Sequence, residues 1–189
     1  KRLNHKQNFM NEKTFNQTPD KLRSPERVSR LEVAAVVENC LKSGNIKSLL
    51  DIGTGTGLFA EEISKNKIKV HGIDLNEEYL ELAKKYVPNG VFIKAVAEEL
   101  PFASQKFDAT FFGLVFHEVD NYEKALSEAA RVSKYNTFIL EWKFQEEPFG
   151  PPIDHRLPTN FIKELAFKSS FNNFEIINMT NLVLYKLSK

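Results

Sequence analysis

An α/β fold, with a parallel sheet covered by helices on both faces, is predicted by three features of this chain. Short runs rich in Val, Ile, Leu and Phe alternate with helical patterns between residues 46 and 142, and regular alternation of that kind brings strands side by side through crossover helices. The first apolar run, at residues 49–52, passes directly into Gly53-Thr54-Gly55-Thr56-Gly57 and then into a helical pattern; glycines there permit the φ > 0 angles of a sharp strand-to-helix reversal. The last two apolar runs are separated only by Thr180-Asn181, so they must pair antiparallel.

Residues 1–24 read as a polar, basic N-terminal arm, in which Phe9, Met10 and Phe15 are placed to dock over a ligand, and residues 25–189 read as a single domain. Residues 1–30 hold eight Lys or Arg against three acids, which is read as a solvated arm or a binding arm. Ser24-Pro25 has the form of an N-cap followed by proline at the first helical position, opening one helix that Gly44 closes. Strands are expected at 46–52, 69–74, 91–96, 107–113 and about 137–142, with helices at about 57–66, after Asn76, and from Asp120 or Asn121. A long loop at 143–158 precedes a helix that turns Phe161, Ile162, Leu165 and Ala166 inward, and strands at 174–179 and 182–187 close the chain.

Composition narrows the function classes. A chain of 189 residues with 42% hydrophobic content supports one sizeable core and leaves little for a second. A formal charge of +1 gives no broad basic face, so nucleic acid is not expected as a partner. The single cysteine, Cys40, excludes an intrachain disulfide and a cysteine-based zinc cage, and no metal site is expected. Cys40 falls on the apolar face of its helix with Val33, Val36, Val37 and Leu41, as core filler. No apolar run reaches the roughly 20 residues of a membrane span, and no apolar leader is seen, so a cytoplasmic protein is expected.

The glycine junction is where a nucleoside-bearing ligand is expected, because absent Cβ atoms let a ligand reach backbone. Asp51, just before the first glycine, favours a cationic ligand over a pyrophosphate. Asp51-Ile52-Gly53-Thr54-Gly55-Thr56-Gly57 resembles the first motif of the class I S-adenosylmethionine-dependent methyltransferases. Val70-His71-Gly72-Ile73-Asp74 resembles that family's second strand, which ends in an acid. Ala97-Glu98-Glu99-Leu100-Pro101-Phe102 is similar to a loop of its quinone-biosynthesis-like subgroup, and 107–112 resembles its fourth strand.

The resemblance implies a Rossmann-like seven-stranded, mostly parallel sheet in the order 3-2-1-4-5-7-6, its last strand antiparallel. It also implies S-adenosylmethionine as cofactor, S-adenosylhomocysteine as product, and a small-molecule methyl acceptor as partner. Asp51, Gly53, Gly55 and Gly57 then shape the methionine pocket, Asp74 takes the ribose hydroxyls, and the backbone of Ala97 and Glu98 reads the adenine edge. Thr54, Leu75 and Gly113 belong to the same cofactor set. Most relatives carry an acid where this chain has Val96, so adenine recognition here falls to the backbone.

Two alternatives stay open at this stage. An NAD(P)-dependent oxidoreductase also uses a glycine turn, but its G-x-G-x-x-G fingerprint places the third glycine one residue later than here. A non-catalytic module binding S-adenosylmethionine is the other.

In an open α/β sheet the ligand crevice lies outside the carboxyl ends of the strands. Residues after the fourth and fifth strands therefore face the acceptor: Phe116-His117-Glu118 and Glu141-Trp142. His117 reads as a general base, or as a polar wall or capping group. Glu118 and Glu141 read as receivers of a cationic or hydroxylated acceptor, or as capping groups, and Trp142 as a pocket floor or core residue. Four prolines stiffen the loop at 147–158, which carries His155 and Arg156; Arg156 is expected to hold an acidic acceptor or to make a surface ion pair.

Overall fold

The computed structural model describes residues 18–42 and 44–189. Its strands are β1 (Ser48–Ile52), β2 (Lys69–Asp74), β3 (Val91–Lys94), β4 (Phe107–Gly113), β5 (Ser133–Trp142), β6 (Asn173–Asn178) and β7 (Leu182–Ser188). Its helices are α1 (Pro19–Leu22), α2 (Pro25–Arg30), α3 (Val33–Leu41), α4 (Leu58–Ser64), α5 (Glu77–Tyr86), α6 (Tyr122–Val132) and α7 (Thr159–Lys168). The strands form one sheet in the order β3-β2-β1-β4-β5-β7-β6, as expected. Every pairing from β3 to β5 is parallel, and β7 runs antiparallel to both β5 and β6.

Period-2 alternation sends neighbouring strand residues into opposite layers. Leu49, Phe111, Phe138 and Leu140 pack with α3, α4 and α5 through Val36, Cys40 and Ala60. Leu50, Phe112 and Ile139 pack on the other side with α6 and α7 through Leu126, Ile162 and Ala166. Burial on both faces explains why β4 reads as a continuous apolar run: all of it up to Phe112 is buried. The polar side chains within it are satisfied. The Thr110 and Thr137 hydroxyls lie 2.8 Å apart, and the Asp108 carboxylate accepts the Lys47 and Ser48 backbone N–H groups and the Lys134 ammonium.

Local signals acted where they were expected to. Ser24 accepts the Arg27 N–H as N-cap of α2, Asn76 caps α5 and Asn121 caps α6. Cys40 is buried on α3, where burial pushes its thiol pKa up and keeps it inert.

The single helix expected from Pro25 to Gly44 is instead two. Glu32 sits in the left-handed region at φ 48° and its carboxylate accepts the Thr180 N–H at 2.9 Å and the Thr180 hydroxyl at 2.8 Å. A contact with the closing hairpin thus breaks the helix that local pattern alone would continue. β5 begins at Ser133 rather than near 137, since its polar first turn still pairs with β4 through Ser133 opposite Phe107. The end of the arm expected at 1–24 is ordered as α1, and Arg23 is bonded into the body of the domain. The docking expected of Phe9, Met10 and Phe15 lies outside the described residues. Among the described residues no helix is long and apolar enough to cross a membrane.

Candidate functional site

The turn after β1 is built from three glycines with φ of 69° at Gly53, 53° at Gly55 and 76° at Gly57. Each omits its side chain for a different reason. A Cβ on Gly53 would lie 2.5 Å from the Val115 side chain, and one on Gly57 would lie 3.0 Å from Ala83. Among the described residues a Cβ on Gly55 would meet only Leu22 Cδ1 of α1, at 3.7 Å, an ordinary contact. The turn is locked by the Thr54 N–H donating to the Ile73 carbonyl and the Gly57 N–H donating to the Thr54 carbonyl.

Two carboxylates flank it. Asp51 is 1% exposed, and its Oδ2 accepts the Thr54 hydroxyl at 2.7 Å. Burial pushes its pKa up to about 7, the charge of Asp74 adds to the rise, and the Thr54 hydroxyl opposes it. Asp74, at the end of β2, accepts the Gly55 N–H at 2.8 Å on one oxygen and the Asn76 N–H at 2.9 Å on the other. Its pKa is also raised by burial, with those backbone donors pulling against it. Leu75 and Val96 are exposed apolar side chains next to this acid and in the loop after β3. Gly113 omits its side chain for packing, because a Cβ there would meet the Phe111 and Phe59 rings at 2.7 and 2.9 Å.

The loop holding Ala97 and Glu98 is fastened to α6. Glu98 accepts the Asp120 and Asn121 N–H groups at 2.9 and 3.1 Å, so its side chain is committed to that junction. Arg131 donates to the Leu100 and Phe102 carbonyls while Glu128 accepts the Leu100 N–H. Sequence reasoning missed both α6 residues, which read as ordinary exposed helix charges at i, i+3 spacing.

Past β4, Val115 fills the space above Gly53 and a 3-10 turn at Phe116–Glu118 follows. The structure brings His117 and Glu141 together. Glu141, 1% exposed near the end of β5, accepts the His117 backbone N–H at 2.9 Å and lies 2.8 and 3.0 Å from the ring Nδ1. Of the two readings of Glu141, receiver of an acceptor or capping group, the contacts favour the second, because both its oxygens face the His117 ring and one accepts the His117 backbone N–H. Glu118 is 3.7 Å from His117 Nε2, and its charge favours the charged form of the Arg27 guanidinium on α2, against the burial that lowers the Arg27 pKa. Trp142 packs in the core against Phe149, and Gly150 passes so near that a Cβ would lie 2.8 Å from the indole.

Arg156 is a correction. Expected to hold an acidic acceptor or to make a surface ion pair, it is instead 4% exposed and donates to four backbone carbonyls, those of Lys143, Gln145, Phe149 and Pro151. Four of its five N–H groups are thereby used, and its role is to fold the loop. His155 sits beside it, half-buried on the 3-10 turn Ile153–His155.

Arg23 was read only as one cation of a polar arm. Its guanidinium donates to the Thr56 carbonyl and hydroxyl, pairs with Glu61 at 2.8 Å and stacks 3.4 Å from the Tyr86 ring centroid. It thus fastens α1 to the glycine turn.

Residues 50–140 match the family model described as a methyltransferase domain. The chain is 37% identical over 138 residues to the demethylmenaquinone methyltransferase of Chlorobaculum parvum, covering 71% of this chain and 57% of that protein. It is 34% identical over 109 residues to the ubiquinone/menaquinone biosynthesis C-methyltransferase of Campylobacter jejuni, covering 54% and 46%. The matched stretch thus spans about half the length of these curated relatives. In fold it is similar to a SAM dependent methyltransferase from Aquifex aeolicus, with a TM-score of 0.79, 24% identity and coverage of 92% of this chain and 99% of that one.

Proposed function

We propose that the chain belongs to the class I S-adenosylmethionine-dependent methyltransferase superfamily and transfers the methyl group of S-adenosylmethionine to a small-molecule acceptor, a reading supported by the methyltransferase-domain match and the curated relatives. The observation that carries this reading is the pair of carboxylates flanking the glycine turn, Asp51 buried before it and Asp74 half-buried at the end of the neighbouring strand. Asp51, with its pKa pushed up to about 7, is a group that a ligand cation stabilises as the carboxylate. A diphosphate in the same place would meet two acids and repulsion.

These residues fit the cofactor. Asp51 and Thr54 hold its ammonium end while the Gly55 backbone borders the chain between amino acid and sugar. Asp74 receives the ribose hydroxyls, beside the backbone N–H groups of Gly55, Leu75 and Asn76 that already face its carboxylate. Leu75 and Val96 border the adenine faces, and the backbone of Ala97 and Glu98 reads its edge. When bound, S-adenosylmethionine supplies an electrophilic methyl on a sulfonium. The protein's remaining work is to hold the acceptor in line about 3 Å from that carbon and to keep water out. The turn carrying His117 and Glu118, and the loop folded by Arg156, are the walls that do so. A reduced quinone ring is the first acceptor to try, given what the curated relatives are named for. A cytoplasmic setting belongs to the same proposal.

Titration calorimetry tests the reading. S-adenosylhomocysteine is expected to bind with micromolar affinity, Asp74→Ala to weaken it by about 100-fold or more as two hydroxyl contacts to a charged group are lost, and NADH to give no heat. No heat with S-adenosylhomocysteine, or saturable binding of NADH, would reject it. Labelled-methyl transfer across extracted metabolites then identifies the acceptor.

A further inference from the structure

We propose that α1 is a strap laid across the glycine turn and that Arg23 is the positioning residue that latches it, so that S-adenosylhomocysteine leaves at a rate set by release of this latch. The kinetic part rests on the cofactor reading above.

Left to itself α1 would not hold. It has four residues, none of them buried, and Thr18 gives it no side-chain cap; a helix that short does not persist alone in water. Nor is it packed closely onto the neighbouring helix. Among the described residues an open hollow of about 320 Å³, lined by Pro19, Arg23, Pro25, Leu82 and Tyr86, lies between α1 and α5. What fixes the segment is its C-cap, Arg23, whose flat fork of donors reaches the glycine turn, α4 and α5 together. Nη2 donates to the Thr56 carbonyl at 2.8 Å and Nε to the Thr56 hydroxyl at 3.2 Å. Nη1 pairs with Glu61 of α4 at 2.8 Å, and the guanidinium carbon lies 3.4 Å from the centroid of the Tyr86 ring on α5.

The Thr56 carbonyl needs this donor. Thr56 is 2% exposed, and the N–H that a longer α4 would offer its carbonyl, that of Ala60, faces the Asp51 carboxyl instead. Arg23 and Asp51 thus take the two ends of what would otherwise be one backbone hydrogen bond, and holding the first leaves the second to Asp51. Leu22, one residue before the latch, stands against the same turn, its Cδ1 3.7 Å from where a Gly55 Cβ would be. Gly55 is also the residue whose N–H Asp74 holds. On the cofactor reading Leu22 therefore lies over the backbone that borders the ligand between its amino acid and its sugar, and the ligand passes out when Arg23 lets go. The latch is built to open. The Arg23 and Glu61 side chains are 17% and 31% exposed, so water screens their pairing, and contacts of that kind release long before the domain unfolds.

Hydrogen exchange of the peptide spanning residues 18–24 reads the strap. In the wild type the Lys21 and Ser24 amides, which donate to the Thr18 and Lys21 carbonyls, are expected to exchange about tenfold more slowly once S-adenosylhomocysteine is bound. In ligand-free Arg23→Ala they are expected to exchange faster than in ligand-free wild type. Exchange that is the same in the two ligand-free proteins overturns the latch.

Stopped-flow displacement of S-adenosylhomocysteine reads its kinetic role. Arg23→Ala is expected to speed dissociation about tenfold or more while association changes by less than about threefold. Arg23→Lys, which keeps a charge for Glu61 and loses the fork on Thr56, is expected to fall between Arg23→Ala and the wild type. Tyr86→Leu, at an exposed side chain, removes only the stack and is expected to speed dissociation about threefold, which decides the matter even if Arg23→Ala does not fold. Dissociation unchanged in both Arg23→Lys and Tyr86→Leu, or affinity lost through association alone, overturns the inference. Failure of the wild type to bind S-adenosylhomocysteine strikes the methyltransferase reading instead, and the ligand-free exchange of residues 18–24 still decides the latch.

Discussion

A carboxyl group with 1% of its surface exposed and a second acid nearby costs free energy each time it ionises, and Asp51 is in that position. Its pKa lies above the ordinary 3.8, at about 7, in the folded protein. The folded state therefore holds a proton that the unfolded chain releases. Stability from this source is fully present below about pH 4, is lost as pH rises to about 7, and then stays level. Thermal melts of ligand-free protein should show that decline, and Asp51→Asn should flatten it, leaving the variant more stable by a few kcal/mol at pH 8. Ligand binding runs the other way, because the ammonium of S-adenosylhomocysteine needs the ionised form. Calorimetry on the wild type should show affinity rising by up to about tenfold per pH unit below 7 and levelling above it.

The loop between β5 and α7 shows how one buried side chain can replace a regular element. Arg156 gathers carbonyls from Lys143 to Pro151, and no other residue type offers so many donors in a rigid fork. Arg156→Lys should cost about 2–3 kcal/mol in urea denaturation and speed amide exchange across residues 143–156, because one ammonium cannot satisfy carbonyls so spread. The same loop marks where sequence reading stops. β2 and β4 were legible residue for residue, β4 because a strand buried on both faces writes its apolar run openly and β2 because its apolar residues run up to Asp74. Ser24 and Asn76 were legible as caps because a cap acts within three residues of itself, and the same signal narrowed the start of α6 to Asp120 or Asn121. Arg156 was misread because an arginine beside a histidine says nothing about carbonyls folding back on it. The break at Glu32 was invisible for a related reason, its cause lying at Thr180. His117 and Glu141 were each singled out, but only β4–β5 pairing makes them one unit.

At the scale of the molecule, stability is graded outward from the centre of the sheet. β1, β4 and β5 are enclosed by both layers, whereas β6 is an edge strand with half-exposed and exposed side chains throughout. Native-state hydrogen exchange should find amides of β1, β4 and β5 opening only with global unfolding, and those of β3 and β6 opening at lower free energy. Equal protection across all seven strands would contradict that gradient. Strand order has a second result, for biosynthesis. β7 fills the gap between β5 and β6, so the sheet is completed by residues 182–188. During translation, every strand from β1 to β5 has emerged while β5 still shows an unpaired, apolar margin to its surroundings. The nascent chain is most prone to stick to its neighbours in that interval, and it is then that a chaperone has most to protect.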